Sequence, residues 1–181
     1  MSAARTAAVA AVESHVRAFF EGHPVEAVEH DPRVLVVGPG PRGGGWTYVT
    51  TGCRSATAGQ GQDVEFVITA HVRDRRFVEL LAVIARHHRG GHRLGPEHSL
   101  PLGEPWVPGS ACDHLLISLP YLYGPGLEHC PLPEGHARLL WALPVTAAEI
   151  GYRRRHGHDA LERLFDEAAI VPTDPFRASV V

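Results

Sequence analysis

Thirteen histidines and three cysteines are the side chains of this 181-residue chain best suited to chemistry. The tightest group is Cys112-Asp113-His114, followed by His129-Cys130 and His136. Zinc accepts thiolate, imidazole and carboxylate ligands. Cys112, His114, His129, Cys130 and His136 therefore define one candidate, a small metal-binding or metal-assisted enzyme. Cys112 and His114 fall on one face if both lie in a strand. Within this group, however, no C-x-x-C, H-E-x-x-H or H-x₃₋₅-H pair sets ligands at the spacing that makes a metal site specific. Scattered polar or core histidines are the simpler reading, and no metal or cofactor is expected.

Other reactive groupings are weaker. Cys53 follows Gly52 at a strand end. No helix start follows it to lower its pKa, and no motif orients a histidine base. Asp63, Glu65 and Glu149 read as a loop residue, a sheet-edge residue and a helix cap rather than as hydrolytic carboxylates. There is no G-x-S-x-G elbow. Gly38-Pro39-Gly40-Pro41-Arg42-Gly43 satisfies G-x-G-x-x-G by letter, but a strand pattern follows it where a dinucleotide site needs a helix. It reads as a hairpin-like connection. All seventeen basic residues are Arg. The missing lysine excludes a P-loop lysine, a Schiff base and a lysine general base. Asn is also absent, so there is no N-glycosylation acceptor. No enzyme activity is expected.

The formal charge of −3 gives no sign of a nucleic-acid-binding surface. Asp74-Arg75-Arg76 and Arg153-Arg154-Arg155 read as solvated faces. Three irregularly spaced cysteines argue against a disulfide framework and fit a reducing cytoplasm. The Ala/Val run after Arg5 is broken by Glu13, His15 and Arg17, unlike a signal peptide. No apolar run approaches the ~20 residues of a membrane span.

The elements that would position these side chains are legible from periodicity. Val9, Val12, Val16, Phe19 and Phe20 form one apolar stripe, predicting a helix over 5–21. Val34 to Val37 is a compact strand candidate. Trp46 to Gly52 is rich in aromatic and β-branched residues and reads as a strand. A polar loop over 53–63 leads to a second strand, Glu65 to Val72, and the two form a central hairpin. Phe77, Leu80, Leu81, Ile84 and His88 stripe a second helix that ends at Gly90-Gly91. Residues 94–109 and 120–135 read as long loops, functional or mobile. Leu115 to Leu119 and Arg138 to Val145 read as partnered strands. Thr146-Ala147-Ala148-Glu149 is a capping box that opens a third helix. Gly157 breaks it, and a fourth helix turns Leu161, Leu164, Phe165 and Ala168 inward. The fold class is α+β, with helices packed on a mostly antiparallel or mixed sheet, and 1–181 is expected to form a single domain.

A set of residues in fixed order resembles the suppressor-of-fused domain. Trp46-x-Tyr48-x-Thr50-x-Gly52 is followed by Ser55, then Glu65-Phe66-x-Ile68-Thr69. The Phe77/Leu80/Leu81 helix, His114-Leu115-Leu116, Val145-Thr146-x-x-Glu149, Gly157 before Leu161/Leu164, and Asp174 with Arg177-x-Ser179 complete it. The likeness covers about residues 30–181. It implies an α+β domain that binds other proteins and catalyses nothing. The animal member resembles a two-domain clamp that adds a transcription-factor peptide as a β-strand. The bacterial single-domain type, which this chain resembles, implies an immunity protein that neutralises a toxin domain of a polymorphic toxin system. The resemblance assigns no partner-binding residue. Trp46, Tyr48, Thr50, Gly52, Glu65, His114, Glu149, Asp174 and Arg177 are expected to be architectural, with Trp46 and Tyr48 as core aromatics and Gly52 as a turn.

Overall fold

Eight strands in a mixed sheet and five helices make up the computed structural model, which describes residues 3–53 and 63–181. Ser55 and the rest of the expected polar loop, 54–62, lie outside the described residues. The sheet order is β1-β2-β3-β4-β8-β6-β5, with β7 pairing β8 off this path. The chain divides into two compact units. One is Met1–Gly95 with Leu119–Trp141, and the other is Pro96–Ser118 with Ala142–Val181.

In the first unit, β1 (Val25–Val28), β2 (Arg33–Val37), β3 (Trp46–Thr51) and β4 (Asp63–Ala70) form an antiparallel meander. The expected central hairpin is β3–β4, with Tyr48 opposite Ile68. β4 then pairs in parallel with the start of β8 (His136–Val145), from Asp63 opposite Ala137 to Val67 opposite Trp141. β4 is therefore an inner strand buried on both faces, which its near-continuous apolar run reflects. α1 (Ala3–Phe19) buries Val12 and Val16, and Phe20 just after it is buried too. α1 packs against β3 and β7 (His129–Pro131). α2 (Arg76–Arg89) covers β3 and β4 and buries Phe77, Leu80, Leu81, Ile84 and His88, as its stripe predicts.

In the second unit, β5 (Ser99–Pro101) pairs antiparallel with β6 (His114–Ser118). α4 (Ala147–His156) and α5 (His158–Glu167) follow the end of β8. Leu116, Val145, Ile150 and Leu161 form the core here, with Tyr152, Phe165 and Val180 packed against it.

Several expectations need correction. The stretch 120–135 is not an open loop. It holds a helical turn, α3 (Pro125–Glu128), and β7. The stretch 94–109 holds β5, and β1 occupies a segment with no clear strand pattern. Short strands of three or four residues carry too little periodicity to read. Ala168 is exposed because it caps α5 rather than continuing it. Trp46 is half-buried at the start of β3, with the Arg73 guanidinium 5.3 Å from its ring centre, whereas Tyr48 is 1% exposed.

Candidate functional site

The sequence-predicted polar residues gather into two buried networks, one in each unit. In the first, β4 turns Glu65 into the interior, where it is 3% exposed. The side-chain hydroxyl of Thr50 donates to Oε2 of Glu65 at 2.6 Å and accepts the Phe66 N–H at 2.8 Å. The Gly52 N–H donates to Oε1 at 2.6 Å, and the Cys53 N–H reaches the same oxygen at 3.1 Å. Gly52 has φ +96°, and a Cβ there would lie 3.2 Å from a Val9 methyl, so the turn that aims these N–H groups suits glycine alone. Burial pushes the Glu65 carboxyl up to about 7, against the pull of its donors. Reading Glu65 as a sheet-edge residue is thus overturned: its strand lies between two others.

In the second unit, Glu149 is fully buried and meets Arg177 in a two-pronged ion pair, Nη1 to Oε1 at 2.6 Å and Nη2 to Oε2 at 2.8 Å. The Thr146 and Val180 N–H groups also donate to this carboxylate, at 2.9 and 3.1 Å. Arg177 donates onward to the Pro144 and Ala178 carbonyls. The capping box forms as predicted, with the Glu149 N–H on Thr146 Oγ1. Burial acts to raise the Glu149 carboxyl, but the Arg177 guanidinium together with the Thr146 and Val180 N–H donors outweighs it and holds the group below its ordinary value. Asp174 closes the tail by accepting the Phe176 N–H at 2.9 Å.

The cysteine and histidine candidates are divided between the two units. Cys112 and His114 belong to the second unit, His129, Cys130 and His136 to the first. Cys112 precedes β6, so it shares no strand face with His114. His114 pairs with Asp113 at 2.8 Å, and Asp113 also accepts the Ala147 N–H. Among the described residues no group of three or more His, Cys, Asp or Glu is placed to hold a metal ion. All three cysteines are buried free thiols. Burial, reinforced by Glu65, pushes the Cys53 thiol well up and Cys130 to about 11, and burial also raises Cys112. None is an activated nucleophile.

The G-x-G-x-x-G stretch is the β2–β3 connection. Gly40 and Gly43 exchange both backbone hydrogen bonds, and His23 grips the turn through the Gly38 carbonyl at 2.7 Å and the Arg42 N–H at 2.9 Å. Two contributors, Tyr123 and Glu128, went unread in the sequence, and a third, Arg153, was read otherwise. Tyr123 bonds Thr47 at 2.6 Å and packs edge-on against Phe19 and Phe20. Buried Glu128 accepts from Arg138 Nε at 2.9 Å. Arg153 is not simply a solvated charge, since it donates to the Glu97 carbonyl and, at 3.2 Å, to the Ser99 hydroxyl.

A family model described as suppressor of fused protein (SUFU) matches residues 29–178, which include both networks. This chain belongs to the suppressor of fused family. A SUFU homolog from Neisseria gonorrhoeae is 30% identical, with a TM-score of 0.82 over 96% of this chain and 97% of its own. A chain of the Sufu–Fu complex is 14% identical (TM-score 0.76), with 96% of this chain and 92% of that one covered. Drosophila Suppressor of Fused is 12% identical (TM-score 0.69), with 96% of this chain covered, and this chain spans about half of it, 51%. The last two likenesses show the fold. No curated protein sequence matches the chain. No described helix of this SUFU domain is long and apolar enough to cross a membrane.

Proposed function

We propose that this chain is a single-domain, non-catalytic, cytoplasmic binding protein that occupies and neutralises a toxin domain of a bacterial polymorphic toxin system. The observation that carries the binding reading is how the chain spends its candidate reactive side chains. Glu65, Glu149 and Arg177 are consumed in internal hydrogen bonds, and the three thiols are buried with raised pKa. What remains for function is the surface. The likeness to a bacterial SUFU homolog over most of both chains supports the bacterial type, for which the family resemblance implies immunity, and the Sufu–Fu complex is a protein–protein complex within the same fold. The mechanism is occlusion, over an interface of about 1,600 Å² typical of specific complexes.

Affinity capture from the host lysate tests this. One large secreted-type protein with a toxic C-terminal domain should co-elute in stoichiometric amount. Co-expression with that domain should then restore growth. A captured toxin domain whose toxicity is unchanged by co-expression defeats the immunity reading.

A further inference from the structure

Large apolar side chains that stand singly on a surface are ordinary. Tyr121 and Leu122 are different. They are consecutive, 65% and 61% exposed, and both sit on a turn. The turn is closely bonded. The Tyr121 N–H donates to the Leu119 carbonyl at 2.9 Å, and the Tyr123 and Gly124 N–H groups share the Pro120 carbonyl, each at 2.8 Å. Tyr123 roots it in the first unit. Its hydroxyl meets that of Thr47 at 2.6 Å, and its ring stands edge-on to Phe19 and Phe20. Just beyond, His15 Nε2 donates to the Leu127 carbonyl at 3.0 Å. Prolines at 120 and 125 restrict the backbone further. A turn held in this way has little freedom left to lose when a partner closes over it.

One charge borders these residues. Arg42, in the β2–β3 connection, lays its guanidinium over the half-buried Phe19 ring, 4.4 Å from the centre. Phe19 in turn meets Tyr123, with ring centres 5.9 Å apart, so the cation and the turn are joined through one aromatic contact. Stacking occupies a face of a guanidinium and leaves its edge of N–H donors for a planar acceptor. Among the described residues no carboxylate pairs with Arg42. Arg33, Arg73, Arg89 and Arg138, by contrast, each have a carboxylate partner within the chain. Residues 119–127 contain no charged side chain at all.

We propose that the 120–124 turn, with Phe19 and Arg42 beside it, is an interaction surface that plugs an apolar pocket of a partner protein carrying a carboxylate at the pocket rim. A turn is convex, so its complement is concave. Tyr121 and Leu122 supply the apolar area, and Arg42 takes the carboxylate in a two-pronged bond. Tyr and Arg are among the side chains that most often carry interface energy. A second copy of this chain is a poorer occupant, because a two-fold contact turns one patch onto itself and brings Arg42 toward Arg42. The proposal rests on the protein-binding reading above and names the face that binds.

Photo-cross-linking in the host tests it. The full chain carries p-benzoylphenylalanine in place of Tyr121 or, as a control, in place of Val83, an exposed apolar residue of α2. Irradiation should join position 121, and not position 83, to one other protein, at a peptide containing Asp or Glu. Leu122→Ser and Arg42→Glu should each weaken binding of that purified partner at least tenfold and leave the melting temperature unchanged. Replacing the partner's carboxylate by Arg should restore binding to the Arg42→Glu chain. Adducts that form as readily at 83 as at 121, no adduct at either position, or full affinity after Leu122→Ser overturn the surface. An adduct between two copies of the chain overturns it in favour of self-association. If the cross-linked partner is not toxic, the immunity reading fails and the surface stands. If the Leu122→Ser chain binds a captured toxin domain at full affinity and still protects cells, the surface fails and the immunity reading stands.

Discussion

Glu65 and Glu149 are both buried glutamates that accept backbone N–H groups next to a threonine, yet they are solved differently. Glu149 has a guanidinium in contact with both oxygens and stays ionised below its ordinary pKa. Among the described residues, Glu65 has only neutral hydroxyl and amide donors in contact, and burial lifts it to about 7. Arg89 acts on the Glu65 site only at longer range, while its own guanidinium pairs with Asp31 at 2.7 Å. Taking a charge out of water is repaid only by an excellent partner. Donors alone keep Glu65 in place but leave it close to its titration point at neutral pH. The second unit is therefore tied by a charge pair, and the first by a carboxyl poised between two protonation states.

The largest way to break this contrast is Arg177→Met. It leaves Glu149 buried and charged without a cation, so stability should fall by about 3–5 kcal/mol in urea denaturation. Adding Glu149→Gln should recover much of that, because no uncompensated charge remains. If Arg177→Met costs no more than a surface substitution, the pair does not anchor the C-terminal tail.

Next in size is a pH effect. The folded-state pKa of Glu65 is raised from 4.5 to about 7. A raised carboxyl favours the fold below its unfolded value and withdraws that support as pH climbs through the folded value. Glu65 should therefore cost about 3 kcal/mol of stability between pH 4.5 and pH 8. Glu149 has the opposite sign, since its lowered pKa contributes stability above 4.5 that is lost as pH falls through the folded value. Glu65→Gln isolates the first term. Its amide oxygen can take the Gly52 and Cys53 donors while its nitrogen donates to Thr50. Relative to wild type, this variant should gain stability from pH 5 to about pH 7 and level off toward pH 8. A parallel pair of stability curves would place the wild-type carboxyl at an ordinary pKa.

Half of each network was legible in the sequence. Glu149 announces itself through T-x-x-E, a local pattern whose geometry is fixed within one turn of helix. Arg177 does not, because nothing in the intervening residues says the tail returns to that carboxylate. Trp46-x-Tyr48-x-Thr50 and Glu65-Phe66-x-Ile68 read correctly as paired strands, since alternation and hairpin order are local. The burial of Glu65 was hidden because it depends on β8 entering in parallel beside β4, more than seventy residues later in register. The same limit explains the metal candidate: Cys112 and His129 look close by strand arithmetic, but spacing does not fix where two segments meet. Short β1, β5 and β7 left no periodic trace.

Two threonines give the smaller tests of the same comparison. Thr50→Val removes a buried donor from Glu65 and an acceptor from the Phe66 N–H, and should cost about 1–3 kcal/mol. With one fewer donor, the Glu65 carboxyl should also titrate higher still, moving the pH dependence upward. Thr146→Ala removes a helix cap and the 3.0 Å contact with Ser179, and should cost about 1 kcal/mol. It leaves the Arg177 bonds to Glu149 untouched, so its cost should not change across the pH 5 to 8 range. Thr146→Ser keeps the capping oxygen and should return most of the loss. If the two threonine variants showed the same pH profile, the difference between a charge-paired and a donor-held glutamate would be lost. The two networks would then be equivalent solutions to one burial problem.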